Sequence, residues 1–487
     1  MTGLAVREGD GRELTSTSQP ARRRRGRWSS PARLRAAALT AVLLACCLSV
    51  LAAVLLGQIR GDFQAIGQRD APEADATTGV YFALNDMDAQ VANVLLVGGD
   101  TALAANRTQD LATYASDREV AEQDLQQAMV AEAGNPAAER ELGQVLDRVG
   151  QYQSLAADAL LVSQQSKSAA GHAPAAAIAY FHQATSLMQA GILPAVGSIT
   201  TVSTAKLDSA YHGGKSAAGS GTGWLVLLGA LLAVGLIALQ FRLAVRFRRL
   251  VNPALVAATV LAVAFVAVTA ARFNAESGHL DVARRDAFGS IQALTLARAV
   301  SYDANADESR YLVDPSRATQ YQQSFLAKSR QIVNVGPVGI SGYDAALAAD
   351  IAAYQRDNSD VRFGGYLGAE FRNITFAGER RAAVATLLAF QRYERDDRTL
   401  RALAAKNLPA AVSYDIGTAP SQSDGAFNQY DAALSSVIGI NSSMFTAAVA
   451  DGEQGALGWE LGLPALGLVL IATLTVAGVR PRLAEYR

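Results

Sequence analysis

The sequence has little of what disulfide-stabilised and metal-binding proteins use. Its 487 residues include only two cysteines and four histidines. Both cysteines, Cys46 and Cys47, lie inside an apolar run, so no disulfide holds the long polar segments. A bacterial lipoprotein cleavage site is the alternative interpretation of Leu43–Cys46. The apolar run continues through Leu56, however, which favours two small residues within a membrane span.

Catalytic motifs are also absent from the sequence. No histidine lies at a metal-ligand spacing such as H-E-x-x-H, and no G-x-S-x-G, Walker or kinase signature occurs. The acidic pairs Asp307-Glu308 and Asp396-Asp397 are adjacent on predicted helices, so their side chains point in different directions and do not form a two-carboxylate site. The sequence therefore predicts no enzyme, no cofactor and no metal centre.

Two apolar runs lie almost back to back in the middle of the chain, at Trp224–Leu239 and Leu250–Ala271. A run of about 20 apolar residues can cross a hydrocarbon core as a helix. Each arginine buried mid-membrane costs about 3 kcal/mol, so the arginine-rich segment between the runs is a loop. Because such loops stay in the cytoplasm, we predict a transmembrane hairpin with a cytoplasmic turn. Its arginines are Arg242, Arg246, Arg248 and Arg249.

Charge is distributed unevenly along the chain, although the net value is only −1. Residues 1–35 hold 9 arginines and 3 acids, whereas residues 58–222 hold 9 basic and 18 acidic groups. Residues 273–458 hold 17 basic and 21 acidic groups. This alternation follows the positive-inside pattern. It predicts that both termini and the central turn are cytoplasmic, and that the two long segments are extracytoplasmic.

Both long segments show helical periodicity. Apolar residues such as Leu142, Val145 and Val149 recur at steps of three or four, which places them on one face of a helix. Between glycine- and proline-containing breaks, the first segment holds four long helices, a pattern typical of an up-down four-helix bundle. Two further local predictions are a flexible joint at Gly219–Gly223 and a single helix over residues 342–370.

The second long segment repeats the plan of the first. Both have the order of span, helices and span, which favours a duplication. Short stretches also match, because Asp88–Ala92 (DAQVA) resembles Asp303–Asp307 (DANAD) and each is followed by a Leu-Val pair. The sequence therefore predicts two helical domains in tandem.

The predicted fold is an all-α membrane protein with four transmembrane helices and two extracytoplasmic, four-helix-bundle-like domains. It is placed in the cell membrane as a multi-pass protein with both termini cytoplasmic. The predicted segments, in chain order, are a disordered basic tail (1–33), a first span (34–58), a first bundle (59–222), a second span (223–241), an arginine-rich turn (242–249), a third span (250–271), a second bundle (272–458), a fourth span (459–479) and a cytoplasmic tail (480–487).

The basic run Arg22–Arg25 lies in the N-terminal tail, close to the first span. Basic residues beside a membrane favour anionic lipid by about 1 kcal/mol each. Nucleic acid is the alternative partner of such a run. The position next to a span favours the lipid, and no nucleic-acid partner is predicted.

Charges of both signs crowd one helix of the second segment, around Asp307, Glu308 and Arg310. One interpretation is pairing between residues four apart on a solvated helix, worth a few tenths of a kcal/mol per pair. The alternative is a docking surface for a protein partner, and these three residues are our candidates for it.

The same helix carries Ala304–Leu312 (ANADESRYL), which resembles the GlnX family of actinobacterial membrane proteins. Further similarity lies in Asn373–Phe376 with Gly378-Glu379, and in Ala426-Phe427. The resemblance implies a relay. In it, an extracytoplasmic amino-acid-binding lipoprotein senses aspartate or glutamate and engages the ectodomains. The signal then reaches a soluble serine/threonine kinase, protein kinase G, directly or indirectly.

We therefore expect a transmembrane signal relay. The predicted cytoplasmic parts are too short for a catalytic domain, so a partner has to detect the motion. The arginines between 242 and 249 are the candidate output surface, and the basic N-terminal tail and Arg480–Arg487 are the alternatives. Two alternatives stay open: a direct small-molecule sensor whose own bundles hold the ligand, and an envelope scaffold without signalling. The predicted spans carry no interior charge, which argues against a secondary transporter.

Overall fold

A computed structural model describes residues 30–247, 252–456 and 459–484 of the chain. These residues form α-helices and contain no β-strand, and one isolated backbone pair joins Asn334 to Gly364. The chain is an all-α membrane protein, as predicted.

The helices of the first half of the described chain are α1 (Ser30–Ala65), α2 (Ala71–Val97), α3 (Ala104–Ala131), α4 (Pro136–Ser166), α5 (Ala175–Leu187) and α6 (Leu193–Phe247). Those of the second half are α7 (Pro253–Asp281), α8 (Gly289–Val313), α9 (Ala318–Ile332), α10 (Ile340–Arg356), α11 (Gly365–Asn373), α12 (Glu379–Ala404), α13 (Leu408–Asp415), α14 (Ser423–Ala456) and α15 (Trp459–Ala484). Wider π-helical turns connect several of them, at Ile66–Asp70, Met188–Ile192 and Val282–Phe288.

Five helical stretches of the described chain are long and apolar enough to cross a membrane. One of them, Ser423–Gln454, belongs to α14. Its residues Tyr430, Leu434 and Val437 are fully buried in a core that α12 also builds, so packing against other helices accounts for its apolar face. The other four stretches overlap the predicted spans; they are Ala32–Val97, Gly219–Val245, Pro253–Val313 and Leu461–Pro481.

The chain divides into two compact units. The first, which we call the membrane unit, comprises residues 1–47, 228–264 and 467–487. Within its described part, the Asn252 side chain donates a hydrogen bond to the Gly478 carbonyl at 2.8 Å. A Cβ at Gly478 would lie 2.8 Å from the Leu255 side chain, so a glycine permits this close approach of α7 and α15.

The second unit, which we call the helical unit, comprises residues 48–227 and 265–466. Both long helical segments contribute to one of its cores. Tyr152 and Phe181 of the first segment share that core with Leu312, Leu400 and Val412 of the second segment. Because each segment buries apolar side chains of the other, the two helical segments form one packed body.

A second core of the helical unit is built by α8 to α12 and α14 and is rich in aromatic side chains. Tyr393 and Tyr430 are stacked with ring centroids 6.4 Å apart, and Phe390 lies 5.3 Å from Tyr430. The buried Tyr343 hydroxyl donates to the Val333 carbonyl at 2.7 Å. This satisfied hydroxyl fixes α10 to the end of α9.

The predicted joint at Gly219–Gly223 is wrong, because α6 runs through it without interruption. A Cβ at Gly221 would clash with a methyl group of Leu55 on α1. Glycine costs about 1 kcal/mol relative to alanine inside a helix. Here its small size serves the close packing of two helices instead of a bend.

The single helix predicted over residues 342–370 is also wrong. Helix α10 ends at Arg356 and α11 begins at Gly365, whose φ of +76° is unfavourable for residues with a side chain. A Cβ at Gly365 would lie 2.6 Å from the Gln331 carbonyl oxygen. A tertiary contact with the end of α9 therefore decides where α11 starts, and helical periodicity carries no information about such a contact.

Candidate functional site

The three predicted docking residues, Asp307, Glu308 and Arg310, all have side chains buried inside the helical unit. Each residue is 0% exposed. The prediction that they form an exposed docking surface is therefore wrong. The physical reason is that α8 is enclosed, since α2, α9, α11 and α14 pack around it, and no face of this stretch is left to water.

Arg310 contacts three aspartates. Its Nη1 donates to Asp307 Oδ1 at 2.6 Å and to Asp303 Oδ1 at 2.9 Å. Its Nη2 donates to Asp88 Oδ2 at 2.6 Å. The Lys328 ammonium on α9 approaches the remaining oxygens of Asp303 and Asp307, at 2.7 and 2.6 Å. We call these five residues the Arg310 network.

Asp88 connects the Arg310 network to the other helices of the first segment. Its Oδ1 accepts hydrogen bonds from the Tyr152 hydroxyl on α4, at 3.1 Å, and from the Thr185 hydroxyl on α5, at 3.0 Å. Burial next to the Asp88 charge raises the pKa of Tyr152 well above its usual value. The tyrosine therefore stays a hydrogen-bond donor at physiological pH.

The Arg310 network joins the two helical segments by buried charge. Three carboxylates face two cations, which leaves one formal negative charge. Desolvating such charges costs as much as their attraction returns, so a network of this kind adds little net stability. Its geometry is demanding, however, because removing one partner leaves the others buried and unpaired. The network therefore specifies how α2, α8 and α9 are aligned.

Glu308 and Ser309 make separate contacts next to this network. Glu308 Oε2 accepts a hydrogen bond from the Ser423 hydroxyl at 2.9 Å. The Ser309 hydroxyl lies 2.6 Å from Asn93 Oδ1 and 3.0 Å from Asp415 Oδ2, so it can donate to one of them at a time. Burial raises the pKa of Asp415 well above its usual value, and the nearby Asp424 raises it further.

Sequence reasoning missed Asp88 and Lys328 as partners of Arg310. A signal for Asp88 was present, since the matching stretches Asp88–Ala92 and Asp303–Asp307 begin with the two aspartates that meet on Arg310. No sequence pattern singles out Lys328. It lies on α9, and only the packing of that helix against α8 brings its ammonium to Asp307.

The candidate output arginines lie at the edge of the described chain. Arg242 is exposed near the end of α6. The backbone of Arg246 belongs to α6, and nothing is described of its side chain. Arg248, Arg249 and the lipid-binding candidate run Arg22–Arg25 lie outside the described residues, so their roles stay predictions.

The fold and the Arg310 network define a multi-pass, all-α membrane protein whose two helical segments are joined by buried ion pairs. Residues 62–212 match the family model of the actinobacterial sensor domain. This range contains Asp88, Tyr152 and Thr185, the part of the site that the first segment supplies. No curated protein and no solved structure matches the chain.

The sensor-domain match supports a sensing or signalling role for an actinobacterial membrane protein, and it favours a sensor over an enzyme. No group of three or more histidine, cysteine, aspartate or glutamate side chains in the described part of the chain could hold a metal ion. This match does not extend to the GlnX family, to a binding lipoprotein or to a kinase partner.

Proposed function

We propose that the chain is a transmembrane signal relay, with the helical unit outside the cell membrane and both termini and the arginine-rich turn in the cytoplasm. The orientation is supported by the alternation of basic and acidic segments along the sequence. The sensing role is supported by the match over residues 62–212.

The observation that carries the proposal is the Arg310 network. Buried charge pairs do not weaken gradually, because a partly separated pair is neither solvated nor neutralised. The proposal requires the helices joined in this way to have a second, discrete arrangement, because a switching element has two. Binding to the helical unit that alters the pairing of Arg310 with Asp88 would move α2 against α8, and a shift of these helices is the proposed internal signal.

A relay of this kind needs an input outside the membrane and an output inside the cell. The input is an extracytoplasmic lipoprotein that binds aspartate or glutamate, and the output is a cytoplasmic serine/threonine kinase of the protein kinase G type. The support is the resemblance in Ala304–Leu312, a stretch that includes Asp307 and Arg310 of the network. Because these side chains are buried, the lipoprotein would bind another surface and act on the network indirectly.

A direct small-molecule sensor is the second candidate function. It is favoured by a pocket in the helical unit that Arg285 and Glu370 line. In this case the ligand itself, instead of a binding protein, shifts the helices.

The test of the relay is a strain that lacks the chain, complemented with the wild type, with Asp88→Asn or with a matched control. The control is Glu122→Gln, which alters an exposed pair with Arg118. The measurement is the phosphorylation of a substrate of the proposed serine/threonine kinase. It is made after addition of aspartate or glutamate, with leucine as the uncharged comparison.

We expect deletion to abolish the response to the two acidic amino acids, and the wild type and Glu122→Gln to restore it. Asp88→Asn should give a weaker response at an equal amount of protein in the membrane, because the amide does not neutralise Arg310. A deletion strain with an unchanged response would refute the relay.

A further inference from the structure

A pocket of about 300 Å³ lies in the helical unit between α8 and α11. Its lining includes Arg285, Ser290, Glu370, Arg372 and Asn373. Small-molecule sites in proteins occupy roughly 300–1,000 Å³, so the volume fits a compact ligand. None of these residues belongs to the Arg310 network.

Glu370 is the buried polar group of the pocket. It is only 1% exposed, and neither carboxylate oxygen has a hydrogen-bond partner of good geometry within the described residues. The Ser290 hydroxyl and the Glu379 carboxyl lie close enough to shift its pKa, but neither is a charged donor. The neighbouring Glu379 accepts from the backbone N–H groups of Thr375 and Phe376 and from Asn441. A buried carboxylate without a donor is costly, and such a group in a native structure calls for a partner.

Arg285 and Arg372 are exposed residues of the same pocket. The Arg372 guanidinium is held in place, because it donates to the carbonyls of Gly368 and Phe363, each at 2.7 Å. Hydrogen bonds from Lys215 and Tyr211 lower the pKa of Asp281 against the effect of its burial, and the nearby Arg285 lowers it further. The Arg285 side chain itself forms no hydrogen bond or ion pair in the described part of the chain. Two positive groups thus stand beside one buried carboxyl group.

The backbone around the pocket is irregular in a way that serves its shape. Arg285 lies in the π-helical turn Val282–Phe288, and such turns are frequent at functional sites. The Asn373 side chain donates to the Arg285 carbonyl at 3.0 Å and to the Asp286 carbonyl at 2.8 Å. It also donates to the Ser290 hydroxyl at 2.9 Å. These bonds tie the end of α11 to the turn and build the pocket from two fixed walls.

We propose that this pocket binds a free α-amino acid, with the ammonium group donating to Glu370 and the carboxylate facing Arg285 and Arg372. A simple anion of this size would leave the buried Glu370 carboxyl without a charged donor. A simple cation would meet the two guanidinium groups. A small zwitterion satisfies both ends, and the orphaned oxygens of Glu370 gain the charged donor that the chain does not supply.

This inference deepens the sensing role and rests on it only for the consequences of binding. Binding itself is tested on the purified full-length protein in lipid nanodiscs, by thermal unfolding with each common L-α-amino acid in turn at millimolar concentration. A ligand that binds only the folded state stabilises it, by about 2.7 kcal/mol at 100 times its Kd. We expect at least one amino acid to raise the melting temperature. The absence of any stabilising amino acid would overturn the proposal.

The amino acid with the largest effect is then compared with its N-acetyl derivative and its α-amide by calorimetry. We expect the wild type to bind the N-acetyl derivative at least about tenfold more weakly, which corresponds to about 1.4 kcal/mol, because acetylation removes the ammonium group. Equal affinity for the free and the acetylated amino acid would contradict the assignment to Glu370, and this comparison needs no variant protein.

Variants then locate the site. Glu370→Gln should weaken binding of the free amino acid at least about tenfold and remove the preference over the N-acetyl derivative. Arg285→Gln should reduce the preference over the α-amide. The control Glu119→Gln, at an exposed position of α3, should bind as the wild type does. If Glu370→Gln retains both affinity and preference, the ligand does not use this pocket.

The outcomes also separate this proposal from the relay. Binding that depends on Glu370 in a chain whose deletion leaves the cellular response intact supports the pocket and refutes the relay. A lost response on deletion, together with no amino-acid binding to the purified protein, supports the relay and refutes the pocket.

Discussion

Arg310 makes three charge contacts while its side chain is wholly removed from water. Its partners lie on α2 and α8, and Lys328 completes the pairing of the two α8 aspartates from α9. A single side chain therefore holds two helical segments in one alignment. The same arrangement makes the position sensitive to substitution, because three carboxylates depend on it.

Replacing Arg310 with methionine tests this dependence. Methionine keeps an unbranched side chain but leaves Asp88 and Asp303 without the guanidinium, so we expect a loss of about 3–5 kcal/mol in the free energy of unfolding. The control is Arg118→Met, whose partner Glu122 lies 3.8 Å away with both side chains about half exposed. That change should stay within about 0.5 kcal/mol. Equal melting temperatures for the two variants would contradict the role of Arg310.

The titration of the Glu370 side chain should make the stability of the protein depend on pH. Burial raises its pKa from 4.5 to about 7; Ser290 lowers the value in part and Glu379 raises it. The guanidinium groups of Arg285 and Arg372 also line its pocket. Because the folded state holds this proton more tightly than the unfolded state, the stability contributed by the site falls as the pH rises from about 4.5 through about 7.

Glu370→Gln removes the titration of that group. Between about pH 5 and about pH 8, the melting temperature of the variant should therefore fall less than that of the wild type, and the difference corresponds to no more than about 3 kcal/mol. Other buried acids, such as Glu394 with a pKa of about 8, titrate in both proteins and cancel in the comparison. A parallel fall of both proteins with pH would show that Glu370 is not protonated in the folded state.

At the scale of elements, the start of α11 decides where the pocket residues lie. Gly365 begins this helix with a φ of +76°, next to the Gln331 carbonyl of α9. Glu370, Arg372 and Asn373 follow within the same short helix. The pocket therefore depends on a backbone conformation that favours glycine.

Gly365→Ala should destabilise the helical unit and weaken the pocket. A Cβ at this position would meet a backbone oxygen at 2.6 Å and would be attached to a left-handed residue. We expect a loss of more than about 1 kcal/mol, measured as a lower melting temperature. The matched control is Gly143→Ala within α4, where a Cβ meets nothing within 4 Å. There alanine should stabilise by about 0.5–1 kcal/mol, so the two substitutions should act in opposite directions.

At the scale of the whole molecule, orientation in the membrane is the prediction on which the relay depends. Reporter fusions at residues 150, 245, 350 and 487 should be outside, inside, outside and inside, because basic segments next to spans stay in the cytoplasm. Alkaline phosphatase and a fluorescent protein that is active only inside the cell report the two sides. Alkaline phosphatase activity at residue 245 would show that the turn lies outside the cytoplasm. This result would contradict the predicted orientation and exclude Arg242 from a cytoplasmic output surface.

The apolar runs and the helical periodicity already determine the class of fold. Spans require about 20 apolar residues whatever surrounds them, and an amphipathic helix repeats its apolar positions locally. Leu142, Val145 and Val149, taken from periodicity alone, are buried in the core of the helical unit. The matching stretches around Asp88 and Asp303 likewise place the two aspartates in corresponding positions of the two segments.

The environment of each charge was decided only by tertiary packing. Asp307 and Arg310 three residues later have the same spacing on a solvated helix and on an enclosed one, so sequence alone favours the wet surface that most such pairs occupy. Lys328 and Asn373 find their partners on other helices, and the Glu370 carboxylate finds none of good geometry. Local spacing determines which residues share a face. What covers that face depends on how the whole chain packs, and this is why the Arg310 network and the Glu370 pocket emerge only in the folded structure.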